Sequence, residues 1–508
     1  MDTQSAAARA ANPAMVRTRS SVFTHPVQPS RIGRTPAFWV LTIVAGAAFL
    51  FGGSARGDVQ SLVFLRPLAA LALGFGLATL RRRHLKDNRW LLGLAAVTVL
   101  LPAAQLVPLP FAIWSRLPGR SQVVEIDQVA GLGMIARPFS LAPDLTLNAL
   151  ASLLIPLAIL VLGIQLNARD RRQLLPLLIG LGAISALLGL LQITGDPRDS
   201  LYHYEITNFG LAVGLFANRN HQALMLALLI PMLAVWGNGG KQASPIRLLN
   251  SVIAIFLLVP MILITGSRAG LIVGAFALLS VPLLLRGISP LSAENFLPSA
   301  LRARVPTKVW LAGAAVAGLS LVALTVHLGR AIAWDRLLTA SPGEDLRWQI
   351  LPTMGRMFWK YFPVGSGIGS FEPVFQANED PGLLGPTFMN HAHNDWLELS
   401  VTGGLPAAIL AILAMLATAR GAVKALFVGR QDAETSSYVQ LGFVLIVLMG
   451  LGSLGDYPLR TPSLEVVFVV AVLWTSCSAT QTKAWSDKAE NQVVNHCDRP
   501  KAPSHAAA

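Results

Sequence analysis

Twelve runs of mostly apolar residues, bounded by Arg, Lys, Gly or Pro, constrain this chain more than any other feature it has. They lie near residues 37–53, 61–80, 90–107, 148–166, 174–193, 221–236, 248–265, 270–285, 309–327, 397–418, 437–454 and 463–479. A helix of about 20 apolar residues crosses the hydrocarbon core of a bilayer, so the pattern predicts an all-α, polytopic integral membrane protein with about 12 transmembrane helices. The seventh and eighth runs are parted only by the short GSRAG turn. Charged residues make up 13% of the chain, against about 25% in an ordinary globular domain, which excludes a soluble enzyme.

The remaining charge is lopsided, with 40 Lys and Arg against 26 Asp and Glu. Nucleic-acid binding does not follow, because the basic residues form short clusters between apolar runs and not a single stripe. They do fix an orientation. With the N-terminus inside, 26 of the 40 fall in inner segments and 13 in outer ones, with Arg66 inside the second run. An even number of spans returns the C-terminus to the cytoplasm. The two cysteines, Cys477 and Cys497, are too few for a disulfide scaffold or a thiolate metal site.

Residues 1–36, rich in Ala, Ser, Arg and Pro, read as a disordered cytoplasmic tail without a signal peptide, residues 37–480 as a multi-span membrane domain, and residues 481–508 as a second cytoplasmic tail. Three outer loops are long enough to carry a site: about 108–147, about 194–220 and, largest, 328–396 before the tenth run. No repeat of fixed period is present.

Ionised groups beside apolar helices are expensive, roughly 2.5–3.5 kcal/mol for Arg at a helix centre, and those on the outer side oppose the positive-inside rule. Four places stand out: Arg219 in GLFANRNHQA, Arg268 in ITGSRAGLIVG, Arg347 in EDLRWQI, and His391-Ala-His393-Asn394-Asp395. Each arginine has a plain alternative as a lipid-headgroup anchor. Several guanidinium forks converging at the interface suit a diphosphate, whose oxygens they match in pairs. Arg66 either joins this cluster or pairs with Asp58.

Segment 345–362 places Leu346, Ile350, Leu351, Met354, Met357, Phe358 and Phe362 at helical spacing, which predicts an interfacial helix with Trp348, Trp359 and Tyr361 as amphipathic anchors and Pro352 as its start or its kink. A lid packing on other loops is the alternative.

The His391–Asp395 stretch carries the most chemistry. Imidazole is the side chain that accepts a proton near neutral pH, as an attacking sugar hydroxyl requires. A helix capped by Asn394 puts both histidines in its lead-in and Asp395 and Glu398 in its first turn, where either carboxylate is available to orient and polarise one imidazole. A zinc or manganese site from His391, His393 and Asp395 is the rival, although its spacing is not H-E-x-x-H. Plain helix capping is a third reading. The glycine-rich Gly365-Ser-Gly367-Ile-Gly369 follows a helix, not a strand, and reads as a tight turn. No Walker-type phosphate loop occurs. Glu125 and Asp127 in the first outer loop read as solvated carboxylates, a cation site being the lesser alternative.

GLFANRNHQALMLALLIPM, ITGSRAGLIVG, RWQILPTMGRMFWKYFPVGSGIGSF and HAHNDWLELSVTGGLPAAIL, in this order over residues 200–420, resemble the O-antigen ligase and polymerase superfamily of bacterial envelope proteins. One departure is visible: where members often have Gly-Leu-Pro-Gly, this chain has Gly404-Leu-Pro-Ala407. The resemblance implies a multi-pass protein of the bacterial inner membrane with its active site on the periplasmic face. It implies an undecaprenyl-diphosphate-linked glycan as donor and a lipid A-core or glycan acceptor, with membrane lipids around the chain and no cofactor or metal. Under it Arg219 and Arg268 match arginines proposed to bind the diphosphate, His393 matches the proposed base, and Arg347 is similar to a further functional arginine.

The expected activity is therefore that of a metal-independent inverting glycosyltransferase of O-antigen ligase type. O-antigen or exopolysaccharide polymerase and protein O-oligosaccharyltransferase are the alternatives in the same class. A transporter of lipid-linked sugars is the alternative from another, and it would distribute its charges along a path through the membrane, not gather them at one face.

Overall fold

The computed structural model describes residues 34–194, 201–239, 245–285, 346–385, 389–428 and 433–476, with the single positions 320 and 323. The ninth predicted run and nearly all of both predicted tails lie outside the described residues. Within the described residues the chain is mostly helical with almost no strand, and eleven of the twelve predicted runs are helices.

The helices are α1 (Pro36–Phe51), α2 (Leu62–Ala78), α3 (Arg89–Gln105), α4 (Ser121–Val129), α5 (Pro143–Gly163, with a slight irregularity at Leu153), α6 (Ala168–Gln192), α7 (Arg219–Asn238), α8 (Pro245–Ile264), α9 (Arg268–Leu285), α10 (Leu351–Tyr361), α11 (Asp395–Val428), α12 (Ala433–Gly452) and α13 (Pro462–Thr475). Seven of them, α5 to α9, α11 and α12, are long and apolar enough to cross a bilayer. The apolar helices α1, α2, α3 and α13 are shorter. The chain is a multi-pass membrane protein.

Local sequence sets these boundaries. Thr35 caps α1 by accepting from the Phe38 N–H, with Pro36 at its first turn, and its own hydroxyl donates to Asp170 Oδ2 at 2.9 Å, tying α1 to the start of α6. Asn167, Asn218 and Ser267 play the same part for α6, α7 and α9. These caps satisfy amides that the first turn of a helix leaves without partners.

Helix α7 is the centre of the bundle, with 89% of its apolar window buried, against α6, α8, α9 and α12. A helix apolar on every side is a core helix, and the continuous burial from His221 to Val235 fits that rule. Its lead-in is pinned by polar contacts: Gln192 Oε1 accepts from the Val213 and Gly214 amides, and the buried Tyr204 hydroxyl accepts from the Gly53 N–H at 2.7 Å.

A second, smaller core lies between the large loop and α11. Ile350, Met354, Met357, Tyr361, Phe371, Phe375, Ala392 and Val401 are buried together. Helix α10 begins at Leu351 with Pro352 in its first turn and presents Met354 and Met357 on one face, while Trp359 on it and Trp348 in the short helix Leu346–Gln349 before it stay exposed. Tyr361 departs from the expectation of an interfacial anchor: it is buried, its ring against Gly119 of the first outer loop and its hydroxyl accepting from Asn378 Nδ2 at 3.2 Å. The apolar stripe of this amphipathic helix packs onto protein.

Candidate functional site

The histidine segment enters α11 through its cap. Asn394 Oδ1 accepts from the Trp396 and Leu397 amides, each at 3.1 Å, and Asn394 Nδ2 donates to the Leu454 carbonyl at 3.0 Å. Just before the cap, His393 sits at φ 48°, the one non-glycine residue with positive φ among the described residues. That conformation is costly for a side-chain-bearing residue and persists where the surroundings hold it. Ala392 is buried in the small core and anchors the segment between its two imidazoles.

Each acidic residue of the region has a separate task. Asp456, in the turn between α12 and α13, accepts from His393 Nδ1 at 2.9 Å. An ionised carboxylate only accepts, so this contact puts a proton on Nδ1, and in the neutral ring Nε2 then carries the lone pair. Glu398 accepts from His391 Nδ1 at 3.1 Å and from the Ala392 N–H at 3.0 Å. Asp395 meets neither imidazole. It accepts from Arg460 Nε at 3.2 Å and from the Ser453 hydroxyl at 3.1 Å, while Arg460 Nη2 lies 3.0 Å from Glu398 Oε1. The expectation that Asp395 or Glu398 orients one imidazole holds for Glu398, on His391, and not for Asp395, while His393 is served by Asp456 from another element.

Asp456 also gathers the start of α7. Its Oδ2 accepts from Asn218 Nδ2 at 2.9 Å and from Asn220 Nδ2 at 2.7 Å, with His221 Nε2 3.9 Å away. Burial disfavours the anion, but the hydrogen bond from His393 and the neighbouring His221 and Arg347 more than offset it, so the carboxyl is held below its ordinary value. Tyr457 stands among three imidazoles, with ring centres 4.5 Å from His391, 4.9 Å from His393 and 5.4 Å from His221. Burial first, and then the Asp456 charge, pushes its phenol up.

The three arginines singled out by sequence lie on segments that border this cluster. Arg219 opens α7 between Asn218 and Asn220, the two amides that bind Asp456. Arg268 opens α9, where Ala269 and Gly270 line a small cleft with Asn220, His221, Asp456 and Pro458. The Arg347 charge acts on both Asp456 and Tyr457. Two helix N-termini, each with its positive dipole end, therefore lie beside Asp456, the carboxylate that holds His393.

A break in α11 completes the scaffold. Gly404 has φ 61° and ψ −155°, and a Cβ there would lie 2.4 Å from the Pro363 carbonyl oxygen. The predicted Gly365–Gly369 turn docks on this break, with the Ser366 and Gly367 amides donating to the Val401 and Thr402 carbonyls at 3.1 and 2.9 Å. Arg120, fully buried, fastens the first outer loop to the same turn by donating to the carbonyls of Pro118, Phe139 and Gly365. Burial brings its guanidinium down to about 10.

Other expectations resolve plainly. Arg66 pairs with neither Asp58 nor the site: its Nη2 donates to Asn148 Oδ1 at 2.6 Å, and Asp58 is taken by Arg56. Asp127 is buried in a bidentate pair with Arg137, so it does not join Glu125 as a cation site. The rival metal site from His391, His393 and Asp395 does not assemble, since each has a different partner, and among the described residues no group of three or more His, Cys, Asp and Glu is disposed to hold an ion.

Sequence reading missed Asp456, Tyr457, Arg460 and His221. A signal was present in SLGDYPLR, which places an acid and a base in the short turn between the last two apolar runs, and in the histidine two residues after Arg219.

Residues 253–412 match the family model described as O-antigen ligase. The match takes in Arg268, Arg347 and the whole histidine segment, and it bears out the resemblance to the O-antigen ligase superfamily. Arg219, Asp456 and Arg460 lie outside it. No curated protein matches the chain.

Proposed function

From an O-antigen ligase domain as premise, we propose that this chain is a periplasmic-face glycosyltransferase of the bacterial inner membrane, moving a glycan from undecaprenyl diphosphate to a hydroxyl of a lipid A-core acceptor. The observation that carries the reading is the 2.9 Å contact between His393 Nδ1 and Asp456 Oδ1, made beside the starts of α7 and α9.

The chemistry follows from those groups. His393 Nε2 takes the proton of the acceptor hydroxyl as that oxygen attacks the anomeric carbon. The new C–O bond forms opposite the bond to the diphosphate, which breaks with its electron pair staying on the phosphate oxygen, so the carbon inverts as in single displacement at other glycosidic centres. Asp456 holds the ring in the reactive tautomer and balances the imidazolium that forms, while Arg219, Arg268 and Arg347 balance the charge growing on the leaving group. A diphosphate leaves as a stable anion without a proton donor. Asp395, His391, Asn394 and Glu398 hold the segment in place through the cap and through Arg460.

The test is a chromosomal His393→Ala replacement, shown by membrane blot to be expressed, with lipopolysaccharide and secreted polysaccharide profiled beside a deletion. Long glycans retained on the undecaprenyl carrier with a bare core lipid support the ligase. Single repeats that accumulate, or that are capped onto the core, make the enzyme a polymerase with the same base. Glycans unchanged in the point mutant, with a defect only in the deletion, overturn the base and favour a transporter.

A further inference from the structure

Residues 128–136, Gln-Val-Ala-Gly-Leu-Gly-Met-Ile-Ala, form the tip of the first outer loop and carry no charge. Every one of them is exposed, Val129 at 92% and Met134 at 81%, and Ile126 on the preceding turn of α4 is exposed as well. A soluble surface seldom collects apolar side chains in this way, and such a patch marks contact with a partner or with lipid. The tip is also a built element. Gly131 and Gly133 turn it at φ 67° and 69° with open space around both, and its ends are clamped. Asp127 and Arg137 form their ion pair across its base, where strand β1 (Pro108–Leu109) pairs with β2 (Arg137–Pro138). Arg120 and the contact of Lys360 with Gln122 at 2.9 Å hold the base to the large loop.

Two features single out the occupant. The tip continues an exposed apolar surface of the membrane domain: α3 leads into this loop, and exposed apolar residues follow one another along the chain from Trp90, Val97 and Leu100 on α3 through Val107 and Ile113 to Ile126 and Val129. Helix α10, joined to the base of the tip, exposes Trp359, and the short helix Leu346–Gln349 before it exposes Trp348, both of the amphipathic type that lies at the level of lipid headgroups. Charged residues flank the apolar stretch at Glu125, Asp127 and Arg137 but do not enter it. We propose that residues 128–136 are seated in the lipid leaflet on the side of the membrane that carries the histidine cluster, with Val129, Leu132 and Met134 in its acyl region. The tip then sets the height of the first outer loop, which Arg120 fastens to the turn beneath α11. This rests on the multi-pass reading alone and not on the chemistry of His393.

The experiment uses the full chain with Cys477→Ser and Cys497→Ser, reconstituted into vesicles of phosphatidylethanolamine and phosphatidylglycerol. Met134→Cys carries a bimane fluorophore, and the acyl chains carry bromine at a shallow or a deep position. Asp380→Cys, an exposed position in a polar stretch of the large loop, is the control. Burial of the tip by about 5–10 Å predicts at least a roughly twofold loss of emission with shallow bromolipid at 134, none at 380, and slow reaction of unlabelled Met134→Cys with a charged thiol reagent. Emission at 134 unchanged by bromolipid, with labelling as fast as at 380, overturns the proposal. Disulfide cross-linking between two copies through Met134→Cys overturns it in favour of a protein interface. Because the variants keep His393, glycan transfer in the same strains reports separately on the proposed reaction.

Discussion

His393 Nδ1 and Asp456 Oδ1 stand 2.9 Å apart although 63 residues separate them in the chain. The contact joins the lead-in of α11 to the turn before α13, and its consequences are open to measurement.

Asp456→Asn keeps the shape of the side chain but removes its charge and permits the wrong imidazole tautomer. Glycan transfer should fall by about 10²–10⁴, the range that positioned acid–base groups contribute. Stability has its own sign. A carboxyl held below its ordinary 3.8 contributes fully above about pH 4 and loses that contribution only as pH falls toward its folded value. The drop in melting temperature of the detergent-solubilised variant should therefore be equal at pH 7 and pH 5. A drop that halves between them contradicts the buried, ionised Asp456.

Lysine in place of Arg219, Arg268 or Arg347 keeps the positive charge and loses the planar fork that grips phosphate in pairs. Each single variant should lose about tenfold to a hundredfold in transfer, with expression and melting temperature unchanged. Activity retained in all three would remove the arginines from the donor site.

Arg460 binds two carboxylates, the half-buried Asp395 at 3.2 Å and the buried Glu398 at 3.0 Å. Arg460→Gln leaves both without their cation and should cost about 3–5 kcal/mol, as breaking other buried pairs does. Adding Glu398→Gln removes one of the stranded charges and should return part of that loss. Additive effects in this double-mutant cycle would show that the two side chains do not act together.

Gly404→Ala forces a side chain into a left-handed position and against the Pro363 carbonyl. It should destabilise by about 1–3 kcal/mol and make the 346–385 segment more sensitive to protease. Ala407→Gly, which restores the pattern common among superfamily members, should leave both readouts near those of the parent, because Gly404 already forms the break.

The apolar runs made the helices legible, since the cost of unpaired amides in lipid leaves a long apolar segment little choice. The Asn394 cap and the glycine turn were legible for a similar reason: both are local, and their residue types answer local needs. The pairing of carboxylates was not. Asp395 lies two residues from His393 and yet faces Arg460, while Asp456 reaches His393 from another element. Sequence spacing finds neighbours along one helix, and this site is assembled between α7, α11 and the α12–α13 turn. Tyr361 misled for a related reason, as an amphipathic stripe does not say whether protein or lipid will cover it.

The interruption of α11 at Gly404 divides one rod into a short N-terminal stub and a long apolar shaft. Backbone bonds from residues 366 and 367 grip the stub at Val401 and Thr402, and the Leu405 amide just below donates to the Pro363 carbonyl. The stub, with Asp395 and Glu398, is thus a mechanical part of the extramembrane cap. Where bilayer thickness changes, helices adjust by tilting, and here the shaft has a joint at which to do so. The imidazoles keep their registry with Asp456 and Tyr457 while the shaft follows the lipid.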